Sequence, residues 1–401
     1  MREGTTTKVD AGRFRQDILE RLRGKAREVI EATIQEELAE ILGSDRYERS
    51  GVRRGYRNGA QERTVSTGMG PRTLSVPRAR VIEDGGKTRE FRSELLPRYA
   101  RRTKEVDEAI LGIYLAGANS RRIRIGLEPL LGAANLSKSA VSRVVGRLKG
   151  LFEQWSFRDL ANETYAVLFL DGFHLKVRLA RRVVSVPILA VLGVGEDGTK
   201  VLVSLRLATS EASGHWSGVL LDLQKRGLGA PLVIVADGNA GLQKALEGWP
   251  GVQVQRCTKH KLANLEEHCP KHARPELRRD YHRITHAGDG IAARKAYDAF
   301  IAKWSKLCPA VARSLEEGGT ELLTFYEFPK AMWRSLRTTN PLENLNREFR
   351  RRTKTQASFG QETAAVTLLY GLVAFGQIRM RKINGHRELK ALVATMKAQA
   401  A

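Results

Sequence analysis

Three acidic residues could do chemistry together, and two of them stand where ionised side chains are least expected. Asp171 follows the apolar run Ala166-Val-Leu-Phe-Leu170, Asp237 follows Leu232-Val-Ile-Val-Ala236, and Glu343 lies in Thr338-Thr-Asn-Pro-Leu-Glu343. Short apolar runs of this kind read as buried strands, and an acid beside one is costly to ionise unless a cation or donor compensates it. Two acids at strand ends and one at a helix start can converge on divalent metal. Two Mg2+ or Mn2+ ions held about 4 Å apart by carboxylates perform phosphoryl transfer, and Mg2+ needs only a few such oxygens because it keeps much of its water. Each acid also has a plainer reading. Asp171-Gly172 and Asp237-Gly238 can open turns. Asn340 as N-cap, Pro341 and Glu343 together make a capping box. For Glu343 both readings can hold, because a helix N-terminus favours a carboxylate.

Cys257-Thr-Lys-His260 offers a second set of ligands, and Cys269 with His272 repeats its spacing. Four such groups could close a tetrahedral zinc site. A structural Cys257/His260 pair is the simpler expectation, packed near the Asp237 side of the sheet, with Cys269 and His272 apart from it. His174 is expected to face the cleft from its strand, and Asp197 to sit in a hairpin turn.

The elements that must position these groups change character along the chain. Residues 13–42 carry Ile18, Leu22, Val29, Ile34, Leu38 and Ile41 at helical spacing, suiting ordinary packing or a dimerisation helix. Between Arg46 and Arg80 nine arginines, Arg53, Arg54 and Arg57 among them, meet two glutamates. Tyr47 and Tyr56 lie between them, a composition suited to a nucleic-acid backbone. Two short strands are expected at Thr64–Thr67 and Thr73–Val76. Residues 103–150 read as helices, with Ser120 and Ser137 as caps and a turn over 132–135. The second helix would place Ser139, Ser142, Arg143 and Arg147 outward and Val141, Val144, Val145 and Leu148 inward, the pattern of a helix-turn-helix recognition helix. From Thr164 three antiparallel strands, a helix, the Asp237 strand, a short helix and a last strand give the order βββαβαβ, the core of a ribonuclease-H-like α/β fold. Residues 261–336 read as a helical insertion before the Glu343 helix, whose Arg347, Arg350, Arg351, Arg352 and Lys354 suit phosphates. The segments expected are 1–44, 45–102, 103–158, 159–260, 261–336 and 337–401.

Composition narrows the partner. Of 401 residues, 68 are Lys or Arg against 44 acids, a net charge of +24, so a polyanion is expected and nucleic acid first among them. No signal-like segment opens the chain, and the most apolar window, 364–375, is too short to span a bilayer. Three cysteines suit a reducing compartment. A soluble, cytoplasmic protein without a membrane partner is expected.

Taken together these blocks resemble the Mutator-like bacterial insertion-sequence transposases over most of the chain. The resemblance rests on Tyr47-Glu-Arg with Gly55-Tyr-Arg-Asn-Gly59 and Val76-Pro-Arg78, on Leu136-Ser-Lys-Ser-Ala-Val-Ser-Arg143, on Asp171 with Lys176-Val-Arg178, on Gln255-Arg-Cys-Thr-Lys-His260 and on Arg337-Thr-Thr-Asn-Pro-Leu-Glu343. It implies that Asp171, Asp237 and Glu343 form a DDE triad and that Cys257/His260 is the family's Cys-x-x-His pair. It implies a homodimer that binds terminal inverted repeats and target DNA, associates with the nucleoid when bound, and cuts and transfers strands with two divalent ions. Arg178 joins the expected DNA contacts. Asn239-Ala240 after Asp237-Gly238 departs from the bulkier polar residues expected there. A nuclease that only cleaves and a non-catalytic DNA-binding regulator are the alternatives.

Overall fold

The computed structural model describes residues 11–48, 51–83, 85–131, 136–179, 182–208, 213–238, 240–247, 249, 251–353 and 362–400. It divides into two compact units, residues 1–145 and 146–401.

The first unit opens with one helix, α1 (Ala11–Leu42). Its second half packs as an amphipathic helix should: Ile34, Leu38 and Leu42 are fully buried against Val65, Leu74, Ala79 and Val81. Its first half does not, because Phe14, Ile18, Leu22 and Val29 are exposed. The row that a dimerisation helix would need is therefore open to solvent. The basic segment forms a hairpin longer than the two short strands expected. β1 (Gly55–Thr67) and β2 (Gly70–Ile82) pair antiparallel, and β3 (Thr88–Glu90) follows on the β2 edge. An irregularity between Arg57 and Ala60 lets β1 continue across Gly59, a residue that otherwise reads as punctuation. Then come α2 (Lys104–Leu115), α3 (Ser120–Leu131) and α4 (Lys138–Ser156), which share a core of Val106, Ile110, Ile123, Leu127, Val141 and Val144. Ser137 caps α4, its Oγ accepting from Ala140 N at 3.1 Å. For α3 the cap is Asn119, which accepts from Arg122 N at 3.0 Å, and Ser120 is the first helical residue. The expected turn at 132–135 lies outside the described residues.

The second unit carries a five-stranded mixed sheet made of β4 (Tyr165–Leu179), β5 (Arg182–Gly195), β6 (Lys200–Leu207), β7 (Val233–Ala236) and β8 (Gln253–Arg256). The spatial order is β6-β5-β4-β7-β8, antiparallel from β6 to β4 and parallel from β4 to β8. The Asp197 turn joins β5 to β6, Asp197 accepting from Thr199 N at 2.9 Å. The parallel crossovers are α5 (Ser213–Lys225) and α6 (Ala240–Leu246). They bury Trp216, Leu220, Leu223 and Leu242 against Leu168, Leu170 and Ile234 on one face of the sheet.

After β8 the chain is helical: α7 (Thr258–His268), α8 (Arg274–Thr285), α9 (Gly290–Leu307), α10 (Pro309–Gly318) and the short α11 (Trp333–Leu336). These helices have a core of their own around Leu277, Tyr281, Phe300, Trp304 and Leu315. The chain then returns to the sheet's opposite face through α12 (Asn340–Thr353) and α13 (Glu362–Ala374), and ends in α14 (Leu389–Ala400). Period-two alternation along β4 explains both faces. Leu168 and Leu170 meet the crossover helices, while Asp171 and Phe173 meet α12, where Phe173 stacks on Phe349 at 6.0 Å. No helix among the described residues is long and apolar enough to cross a membrane.

Candidate active site

Asp171 is not at a strand end, as its sequence context suggests, but in the middle of β4, paired with Ala190 across the antiparallel ladder. The parallel ladder tells a different story. β7 pairs with β4 only from Val167↔Val233 to Leu170↔Ala236. Asp171 and Asp237 are thus the next residues on adjacent strands, both just past the last parallel pair. The alternative of an Asp171-Gly172 turn is excluded. Asp171 is buried, 7 % exposed, and Asn346 Nδ2 donates to its Oδ2 at 3.2 Å.

Glu343 reaches the same place from the first turn of α12. The helix begins at Asn340, one residue earlier than the capping-box reading, and the buried Thr339 precedes it. Thr339 Oγ1 lies 3.3 Å from Glu343 Oε1 and 3.5 Å from Cys257 Sγ, so its one proton serves one or the other. Lys259 Nζ donates to Glu343 Oε2, and His260 Nε2 lies 3.5 Å from Oε1. Asp171, Glu343, Asn346, Lys259, His260, Arg347 and Arg350 line one cavity of about 580 Å³.

Asp237 is half-buried and is not among the residues that line this cavity. Its turn is held by Arg256, which is 3 % exposed. Arg256 Nη2 donates to Gly238 O at 3.3 Å and to Glu317 Oε1 at 2.8 Å, and Nη1 donates to Glu317 O at 2.7 Å. A methyl group added at Gly238 would come within 2.2 Å of that guanidinium, so a larger residue there would have to displace Arg256. The insertion helix α10 thereby touches the Asp237 turn through one arginine. Asn239 lies outside the described residues.

Cys257, His260 and Glu343 bring one ligand atom each within 4.8 Å of one another, the one such group among the described residues. Cys269 and His272 do not join it, and Cys269 packs in the core of the helical insertion. The four-ligand zinc site is therefore not assembled. Cys257 is 1 % exposed and accepts from Thr339 N at 3.4 Å. Burial alone would raise its thiol, yet contacts with His260 and Thr339 hold it below its ordinary value. His260 moves the other way. Its hydrogen bond with Cys257, opposed by burial and helped by the charges of Cys257, Asp171 and Glu343, raises it to about 9.

The expected nucleic-acid contacts divide. Arg347 and Arg350 line the cavity, whereas Arg351 and Arg352 turn to Glu348. Ser139, Ser142, Arg143 and Arg147 are exposed on α4, with Val141, Val144 and Leu148 buried behind them. Arg53 and Arg54 are exposed, but Arg57 is half-buried with its Nη1 on Gln35 Oε1 at 2.8 Å. His174 lies an odd number of residues from Asp171, hence on the other face of β4, exposed and away from the cavity. The side chain of Arg178 and the whole of Lys354 lie outside the described residues. Sequence reasoning missed Asn346, Arg256, Lys259 and Thr339. Only Asn346 carried a signal, since it lies three residues beyond Glu343 on a helix and so on the same face.

A carboxylate pair around an open cavity, with cations already drawn to it, suits a hard, oxygen-seeking divalent ion. The donor set thus fits Mg2+ or Mn2+, with Asp171 and Glu343 as the residues able to hold it. Comparison with known proteins gives the family. A sequence model described as "Transposase, Mutator family" matches residues 2–377. The chain belongs to the Mutator family of transposases. Relatives of this transposase chain include the transposase for insertion sequence element IS406 of Burkholderia multivorans, 34 % identical over 84 % of this chain and 86 % of that one. The transposase for IS1081 of Mycobacterium tuberculosis is 32 % identical, covering 88 % and 84 %. That for IS905 of Lactococcus lactis is 31 % identical over 91 % of each chain. Among solved structures, a chain of the Drosophila P element transposase strand transfer complex aligns with 79 % of this chain and 88 % of its own length. The TM-score is 0.28 and the identity 11 %, too distant to bear on the fold.

Proposed function

We propose that this insertion-sequence transposase binds the terminal inverted repeats of its element as duplex DNA, then cuts and joins strands at Asp171, Asp237 and Glu343. One observation carries the reading: Asp171 from β4 and Glu343 from α12, far apart in sequence, line a single cavity. Two further features support it. Numbered from β4, the sheet order is 3-2-1-4-5, with two antiparallel and two parallel pairings, the arrangement of a ribonuclease-H-like core. In addition, the register sets Asp237 level with Asp171 on the neighbouring strand.

In this mechanism Asp171 and Glu343 would hold the divalent ions, with Asp237 as the third ligand on the segment that Arg256 braces. When bound, two Mg2+ or Mn2+ ions supply activation of the attacking oxygen and neutralise charge developing on the leaving one. The chain's own cations do the rest. Lys259, half-exposed on the cavity wall, neutralises Glu343 in the ligand-free chain and turns to a phosphate oxygen when DNA and metal arrive. Arg347 and Arg350 hold the flanking backbone as charge-assisted donors. Water attacks the phosphodiester at the element end and frees a 3′-hydroxyl, and that hydroxyl then attacks a second strand in line. The exposed face of α4 reads the repeat.

Incubating the purified protein with its element's ends, target DNA and Mg2+ tests this. Joined products are expected. Cleavage without joining would make the chain a nuclease, and binding without either would make it a regulator.

A further inference from the structure

Asn346 is 3 % exposed, sits one helical turn beyond Glu343 and lines the same cavity. Its amide is used at one end only. An ionised carboxylate accepts hydrogen bonds and donates none, so the nitrogen, not the oxygen, must face Asp171. That assigns the amide without ambiguity and leaves Oδ1 on the other side. Asn346 Oδ1 is buried and has no hydrogen-bond partner among the described residues. A buried carbonyl left without a partner is destabilising, and asparagine is a poor helix former besides. Packing alone gains nothing from an amide where an apolar side chain of the same branched shape would leave no group unsatisfied.

We propose that Asn346 is a fourth member of the metal site. Its Nδ2 fixes the orientation of Asp171, and its Oδ1 takes the divalent ion directly or through one of the ion's waters. Amide oxygens and retained waters are ordinary ligands of hard cations. This rests on the reading of Asp171 and Glu343 as metal ligands. It adds a neutral group, which tunes the site without adding to the repulsion between acids.

The test is Mn2+ binding to the full chain without DNA, followed by the free-ion electron paramagnetic resonance signal, alongside thermal melting in chelator. Asn346→Leu and Asn346→Ala are expected to weaken Mn2+ binding roughly tenfold or more, the usual effect of losing a supporting partner of a metal site. Asn346→Leu removes the unsatisfied oxygen but also the donor to Asp171, so melting in chelator serves to show that each variant is folded before its Mn2+ affinity is compared. Should the leucine variant fail to fold, the alanine variant, which adds no volume, carries the comparison. Wild-type Mn2+ affinity in the folded Asn346 variants, with binding lost in Asp171→Ala, overturns the role of Asn346 alone. Wild-type affinity in Asp171→Ala overturns the metal site and this inference with it.

Discussion

At Glu343 three side chains, Lys259, His260 and Thr339, share two carboxylate oxygens. Of these, His260 is the one whose charge depends on a partner outside the cavity. Its contact with the buried Cys257 is the largest cause of a value near 9. That lies above the ordinary 6.5, so the stability His260 lends the fold is complete below 6.5 and is lost as pH rises through about 9. Cys257→Ser is therefore expected to bring the His260 ring titration, followed by NMR, well down toward 6.5. An unchanged midpoint would show that Cys257 is not the cause. Asp171 and Asp237 were conspicuous in the sequence because each follows an apolar run, and Glu343 because it opens a basic helix. Asn346 and Arg256 were not. A neutral amide and one arginine among many give no charge contrast, and their roles arise only when distant elements meet.

Element by element, the order of strands and helices could be read because hairpin turns and helical crossovers leave different marks in sequence. The position of Asp171 within β4 could not. Two partners end at different points, β7 at Leu170 and β5 far beyond it, and an apolar run records only the shorter pairing. The spacing over 13–42 reads as one or two amphipathic helices; it forms the single α1, yet only the second half is covered, since sequence spacing marks an apolar row without saying what lies against it. α4 follows its pattern, with Ser139, Ser142, Arg143 and Arg147 exposed over buried valines. If this helix reads the terminal repeat, Arg143→Ala should cost about 1–3 kcal/mol and relax discrimination at one base position. Binding isotherms over repeat variants and salt concentrations check it. A uniform loss with discrimination unchanged would make Arg143 a phosphate contact only.

For the whole molecule, a net charge of +24 provides affinity for any duplex, so binding alone says little about what the chain does with DNA. In the proposed reading the chemistry comes from the second unit, with one acid on β4, one just past β7 and one on α12. Asp237 is the member whose place is least evident, half-buried, not among the residues that line the cavity, and on a turn held by Arg256 and Glu317. It therefore gives the most direct test. A thiolate ligand disfavours Mg2+ and tolerates softer ions better, so cleavage of the element's ends by Asp237→Cys should be measured in Mg2+ and in Mn2+. The account predicts loss of cleavage in Mg2+, partial recovery in Mn2+ and unchanged binding to the ends. Cleavage by Asp237→Cys at close to the wild-type rate in Mg2+ would contradict it.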